Sequence, residues 1–289
     1  MKYLYYPGCS QKSSAISYER SFLAICDVLG IELIELDDWN CCGATIAISV
    51  NKMVSFLLAA RNLGLANKYN LPLVTPCPSC YVSLNRILKV CKESKSQSDQ
   101  INTLLAEEDL TFSTDTQVYH SLEFLVHIIG LDTIRERIRN PLRGFKIAPY
   151  YGCQLVGSYV NPDNNGNPQS LEELIEVLGA EPVKFPFRTQ CCGGSLMFTL
   201  SKQAEKLSGM ILQSICRTDA DLIVTPCGLC QMNLEIAQKK NHGKIPRQRP
   251  LPVITFGQMM GLAFDLDSGT IGINKKKILA KQNIISLTN

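Results

Sequence analysis

"DLIVTPCGLC" (221–230) repeats "LPLVTPCPSC" (71–80), and that repetition sets the architecture. Each stretch is a short apolar run that stops at Pro-Cys and passes into helix-forming sequence. A run of this kind, bounded by a turn signal, reads as a buried strand. Strands that alternate with helices build a mostly parallel sheet, so the repeat implies two α/β modules.

The duplication extends to both sides of this stretch. "YYPGCSQ" (5–11) pairs with "PYYGCQL" (149–155), and "CDVLGIELIELDDWNCCGA" (26–44) pairs with "IEVLGAEPVKFPFRTQCCGG" (175–194). The words keep their order, with cysteine offsets of 144, 150 and 150 residues. The chain therefore reads as one module over 1–140, a second over 145–270, and a tail over 271–289. The polar stretch "RERIRNPLRGFK" (135–146), with its Pro and Gly, reads as the join. Within the first copy, strands are expected at 3–6, 31–36 and 71–75, and helices at 16–29, 51–68, 81–92 and 119–130. In the second copy a helix is expected over 170–179, opened by a Ser170…Glu173 capping box.

Ligands of open α/β sheets gather at the carboxyl ends of the strands. Cys9, Cys41, Cys42, Cys77 and Cys80 all follow strands in the first copy, so five thiols should meet at one sheet edge. Cys153, Cys191, Cys192, Cys227 and Cys230 should meet in the second. Gly43, Gly193 and Gly194 remove side-chain bulk where the backbone must pass close to a bound group.

Bulk properties narrow the chemistry. The chain has 289 residues, 45% of them hydrophobic, and a formal net charge of +3. That charge, without a basic stripe interleaved with aromatics, argues against nucleic acid. No apolar run reaches the ~18 residues of a membrane span. The start, "MKYLYYPGCS", lacks a signal peptide's apolar region, which makes the cytoplasm the default compartment. Thiols stay reduced there, so 13 cysteines point to metal or catalysis rather than to disulfides.

Each CxxC alone would suit a dithiol redox pair. Zinc takes four ligands, which leaves a fifth cysteine spare. An iron–sulfur cluster has use for more thiolates, and adjacent cysteines can serve neighbouring irons. Cys26, Cys91 and Cys216 lie outside both motifs at helix positions and read as small buried hydrophobes. His120 and His127, seven apart, read as lining a core or an interface with another protein chain. Trp39 is expected to pack over the cysteine pair, His242 to lie in a solvated loop, and "VNPDNNGNP" (160–168) to form a surface loop. "NKKKILAKQ" (274–282) reads as a solvated end.

The full pattern has 31 residues between Cys9 and Cys41 and 34 between Cys42 and Cys77, with 37 and 34 in the second copy. It resembles the duplicated cysteine-rich CCG module of the heterodisulfide reductase B chain, over about residues 1–266. The resemblance extends to "VYHSLEFL" (118–125) and "PVITFGQMMGLAF" (252–264), read as closing helices. It implies two duplicated Rossmann-like modules and two noncubane 4Fe–4S clusters, each held by the five cysteines of one module. It implies an oxidoreductase that opens, or in reverse forms, a small-molecule disulfide between the clusters. Electrons would come from a small ferredoxin-like partner chain with ordinary 4Fe–4S clusters, and a larger flavin-containing partner would stand further off. This chain has no C-x2-C-x2-C-x3-C-P run of its own. Relatives of the same pattern also serve succinate- or fumarate-type, sulfur-oxidising and other dehydrogenase complexes. The alternatives are an electron-relay role, in the cytoplasm or attached to a membrane through partners, and zinc in one module.

Overall fold

The computed structural model describes residues 1–44, 46–156, 167–240, 250–273 and 278. His242, most of 160–168 and most of 274–282 lie outside these residues.

The first half opens with β1 (Lys2–Tyr5), α1 (Ile16–Val28) and β2 (Glu32–Glu35), then α2 (Ile46–Val50) and α3 (Lys52–Asn67). β3 (Leu73–Thr75), α4 (Pro78–Glu93), α5 (Lys95–Leu105) and β4 (Val118–His120) follow. The half closes with α6 (Ser121–Glu123), a π-helical stretch Phe124–Gly130 and α7 (Leu131–Arg135). The second half runs β5 (Lys146–Pro149), α8 (Ser170–Val177), β6 (Glu181–Pro182), α9 (Ser201–Cys216), β7 (Leu222–Thr225) and α10 (Gly228–Lys240). It ends with β8 (Val253–Thr255), α11 (Phe256–Ala263) and α12 (Ser268–Ile271).

The strands form two four-stranded sheets, ordered β2-β1-β3-β4 and β6-β5-β7-β8, and every pairing is parallel. The inner strands β3 and β7, "LVT" and "LIVT", are buried throughout, as parallel strands covered by helices require. In each sheet the chain leaves the first strand on one side and returns on the other. The reversal opens a crevice between β1 and β3, and again between β5 and β7, at their carboxyl ends.

The two halves interlock. α11 and α12, which close the second half, pack on α1 of the first. α6 and α7, which close the first half, pack on α8 of the second. Phe256 stands edge-on to Tyr18 and Phe22, with ring centroids 5.7 and 6.5 Å apart, and all three are buried. His127 Nε2 lies 3.1 Å from the Ser170 hydroxyl. Gly228 touches the first half so closely that a β-carbon there would stand 2.6 Å from that of Ala15.

Four local expectations differ. Residues 118–120 extend the sheet instead of starting a helix, because Val118 and His120 point into the buried layer beside β3. In "PVITFGQMMGLAF" too, Val253–Thr255 is a strand and only Phe256–Ala263 is helix. Helix α4 begins at Pro78, since proline's missing N–H costs nothing in a first turn, so Cys77 is its N-cap and Cys80 lies inside it. The Ser170 capping box does not form: Gln169 is the N-cap, and the Ser170 hydroxyl is turned to His127.

Candidate functional site

The thiols expected to converge do so. In the first half Cys9 and Cys41 lie 3.8 Å apart, sulfur to sulfur. Hydrogen-bonding contacts continue from Cys41 to Cys42, from Cys42 to Cys80, and from Cys80 to Cys77. In the second half Cys192 and Cys230 lie 3.4 Å apart, Cys230 also meets Cys227, and Cys153 meets Cys191. All ten thiols are free. Cys9, Cys41 and Cys153 are exposed at the mouths of the sites, while Cys42, Cys80, Cys192 and Cys230 form buried floors.

Within each site the thiols split into acidified and disfavoured groups. Cys77 is held down to about 7, first by a hydrogen bond from the Cys80 thiol, then by the backbone N–H groups of Cys80 and Ser79 at the start of α4. Cys41 is lowered by hydrogen bonds from Cys42 and Cys9, and Cys191 by one from Cys153 and by the Gly193 N–H at 3.3 Å. Cys192 is lowered by one from Cys230, and the donors Cys9, Cys153, Cys80 and Cys230 are pushed up by sharing those protons and by burial. Thiolates bind metal, so each site presents ready donors with others to be deprotonated on binding.

Five thiols, two of them adjacent in the chain, suit a polynuclear iron–sulfur centre better than zinc with its four ligands. Among the described residues, no three His, Cys, Asp or Glu side chains are placed to hold a single ion. The thiols are strung in touching pairs instead.

Several supporting residues escape a reading of the sequence for function. Tyr6 donates its hydroxyl to the Asn40 carbonyl at 2.8 Å, and Tyr150 donates to the Gln190 carbonyl at 2.7 Å. Each carbonyl belongs to the residue before the Cys-Cys pair. Burial, then the neighbouring thiols, push both phenols far above their usual range, so they stay protonated. Asn62 grips Asn40 from both sides, accepting its N–H and donating to its carbonyl, each at 3.0 Å. Ser83 donates to the Cys42 carbonyl at 2.9 Å, and Asn233, on α10, donates to the Cys192 carbonyl. Both tyrosines stand inside the repeated words "YYPGC" and "PYYGC", the one signal that could have found them.

The glycines divide by role. Gly43 (φ 69°) and Gly193 (φ 76°) adopt left-handed turns and lie against α3 and α9. A β-carbon on Gly194 would stand 3.3 Å from the Cys192 sulfur and 2.8 Å from Leu229. The glycines set most directly against a thiol are Gly8 and Gly152, where a β-carbon would stand 2.7 Å from the Cys80 sulfur and 3.1 Å from the Cys230 sulfur. Trp39 packs edge-on to Tyr6 with centroids 5.8 Å apart. Cys26 and Cys91 are buried away from the sites, and Cys216, at the end of α9, is half-buried.

The model of the CCG cysteine-rich domain matches twice, over residues 3–85 and 147–235. The chain belongs to the duplicated cysteine-rich CCG domain family. Among its relatives, the membrane anchor of the 8-methylmenaquinol:fumarate reductase of Wolinella succinogenes is 32% identical over 96% of this chain and 97% of its own length. A protein of Archaeoglobus profundus described as like the heterodisulfide reductase B chain is 32% identical over 92% of each chain. The B chain of the ferredoxin:CoB-CoM heterodisulfide reductase of Methanosarcina mazei is 27% identical over 96% of this chain and 90% of its own. A hypothetical protein from Helicobacter pylori shares the fold, with a TM-score of 0.75 at 13% identity over 94% of this chain. The chain spans 50% of the length of that structure. Among the described residues, no helix of this family member is long and apolar enough to cross a membrane.

Proposed function

We propose that the chain is the disulfide-converting component of a heterodisulfide-reductase-type complex. Each half holds one noncubane 4Fe–4S cluster on its five cysteines. A small-molecule disulfide is reduced, or formed in reverse, between the halves. Electrons come from a ferredoxin-like partner chain, with a flavin-containing partner beyond it. The observation that carries this reading is the gathering of five free thiols at the switch-point crevice of each half.

When bound, such clusters would pass electrons singly and offer iron to both sulfurs of the opening disulfide. The balance is two electrons and two protons in, two thiols out. The chain's own residues prepare the sites. The lowered thiols of Cys41, Cys77 and Cys191 supply thiolate at neutral pH. Tyr6, Tyr150 and Asn62 hold the residues before the cysteine pairs, so the ligands are ordered before anything binds.

A second reading rests on the Wolinella relative, whose identity and coverage equal or exceed those of the two reductase relatives named above. In it the same two sites relay electrons inside a succinate- or fumarate-type complex, at a membrane reached through partners. The first reading leaves the protein in the cytoplasm.

Anaerobic purification with metal and sulfide analysis tests the shared premise. About four irons per half are expected, and colourless protein with one or two zincs overturns it. Paramagnetic signals that change when small thiols are added after mild oxidation support disulfide chemistry. Signals indifferent to thiols favour relay. Cys192→Ser should lose the signal of the second half and keep that of the first.

A further inference from the structure

His120 lies at the carboxyl end of β4, fully buried, and belongs by sequence to the first half. Its Nδ1 accepts the Leu122 N–H at 3.1 Å, so the ring proton must sit on Nε2. That Nε2 lies 3.2 Å from the Pro76 carbonyl, immediately before Cys77. The Pro226 carbonyl, immediately before Cys227 in the other half, faces the same ring. The Tyr18 hydroxyl, from α1, completes the arrangement: it donates to the Pro226 carbonyl at 3.2 Å and lies 3.2 Å from the hydroxyl of Ser121, next to His120. The matching position in the second half is Thr255, paired with Thr225 as His120 is paired with Thr75. The Thr255 hydroxyl caps its own helix by accepting the Gln258 N–H. One residue of the pair faces both sites; its counterpart serves locally.

The geometry points to His120 as a positioning residue that, with Ser121 and Tyr18, ties the two Pro-Cys turns to one another and fixes the spacing of the two cysteine sites: its ring holds the Pro76 carbonyl, and the Tyr18 hydroxyl bridges Ser121 to the Pro226 carbonyl. The inference rests on the reading that both sites act on one substrate, but the tie itself does not depend on which metal they hold. The sulfurs of a disulfide are about 2 Å apart, so two centres that receive them need a set separation. Misplacement by about 1 Å can cost a hundredfold in rate. A buried cluster of His120, Ser121 and Tyr18, shared by two turns from opposite halves, supplies that constraint without touching substrate.

The test is hydrogen exchange on the full-length protein as purified, read by peptide mass spectrometry over 73–80 and 222–230. His120→Asn keeps an acceptor for the Leu122 N–H but cannot reach the proline carbonyls. The amides of both peptides should exchange about three- to tenfold faster, from the loss of one net hydrogen bond at the first turn that is passed to the second through Ser121 and Tyr18. His120→Gln restores the reach and should return both peptides toward wild-type protection. Resonance signals from both halves should shift in the Asn variant and recover in the Gln variant. Loosening confined to 73–80 would make His120 a helix cap of its own half and overturn the inference. If the Asn variant does not fold, His120→Gln decides alone: protection of 222–230 as in wild type supports the tie, and loosening there overturns it. Because exchange is read whatever metal is bound, a zinc-loaded protein with both peptides coupled would sink the iron–sulfur reading and leave this one standing.

Discussion

Gly8 presses its backbone against the sulfur of Cys80: a β-carbon there would lie 2.7 Å from it. The residue also holds φ at 72°, in the left-handed region that other residues enter at a cost of about 1–2 kcal/mol. Gly8→Ala should therefore lower stability by at least that amount and displace Cys80. Metal per chain should drop toward half, with the second half still loaded. Gly152→Ala, facing Cys230 at 3.1 Å, should be milder. Equal and full metal content in both variants would show that the glycines serve the turn alone.

Tyr6 and Tyr150 offer a cleaner substitution, because phenylalanine keeps the ring. Each variant loses one buried hydrogen bond to the carbonyl before a Cys-Cys pair. Tyr150→Phe should lose about 1–3 kcal/mol, since the Gln190 carbonyl is left without its donor, and Tyr6→Phe should lose less, because Asn62 still donates to the Asn40 carbonyl. Chemical denaturation should show it, together with faster metal loss to a chelator from the affected half only.

His120 makes stability sensitive to acid. Burial drives its imidazole down from 6.5 to about 3. The folded protein therefore refuses a proton that the unfolded chain accepts below pH 6.5. The stability this group supports is complete above that pH and is lost as pH falls toward about 3. The slope should approach about 1.4 kcal/mol per pH unit within the window. His120→Gln should flatten the unfolding free energy against pH by that amount. An unchanged slope would mean that the ring is not held neutral.

Gly228 joins the halves by its lack of a side chain. Gly228→Ala places a methyl 2.6 Å from the Ala15 β-carbon, and overpacking of this kind costs about 1–3 kcal/mol. Adding Ala15→Gly should recover most of the loss, because the two substitutions share one space. Strict additivity in the double-mutant cycle would contradict the contact.

Much of this is legible in the sequence. "LPLVTPCPSC" and "DLIVTPCGLC" show strand, turn and helix in order, and the thiols meet where parallel-sheet logic sends them. The start of α4 lies three residues ahead of its expected place, because Pro78 is the first helical residue and not a turn. His120 resembles a helix residue, since "VYHSLEFL" is apolar at both strand and helix spacing. Tyr6 and Tyr150 stand inside repeated words, yet a hydroxyl aimed at a carbonyl 34 or 40 residues away leaves no local pattern. The packing of α11 on α1 and of α7 on α8 is invisible for a different reason: repeats compared side by side look self-sufficient.

That packing limits how this chain can change. Removing either copy would strip the cover from the first helix of the other and bare Tyr18, Phe22 and their neighbours to water. A descendant that abandons one centre must therefore do so by replacing cysteines in place, keeping the emptied half as scaffolding. In this architecture redox capacity is lost one residue at a time, while the length of the chain stays the same.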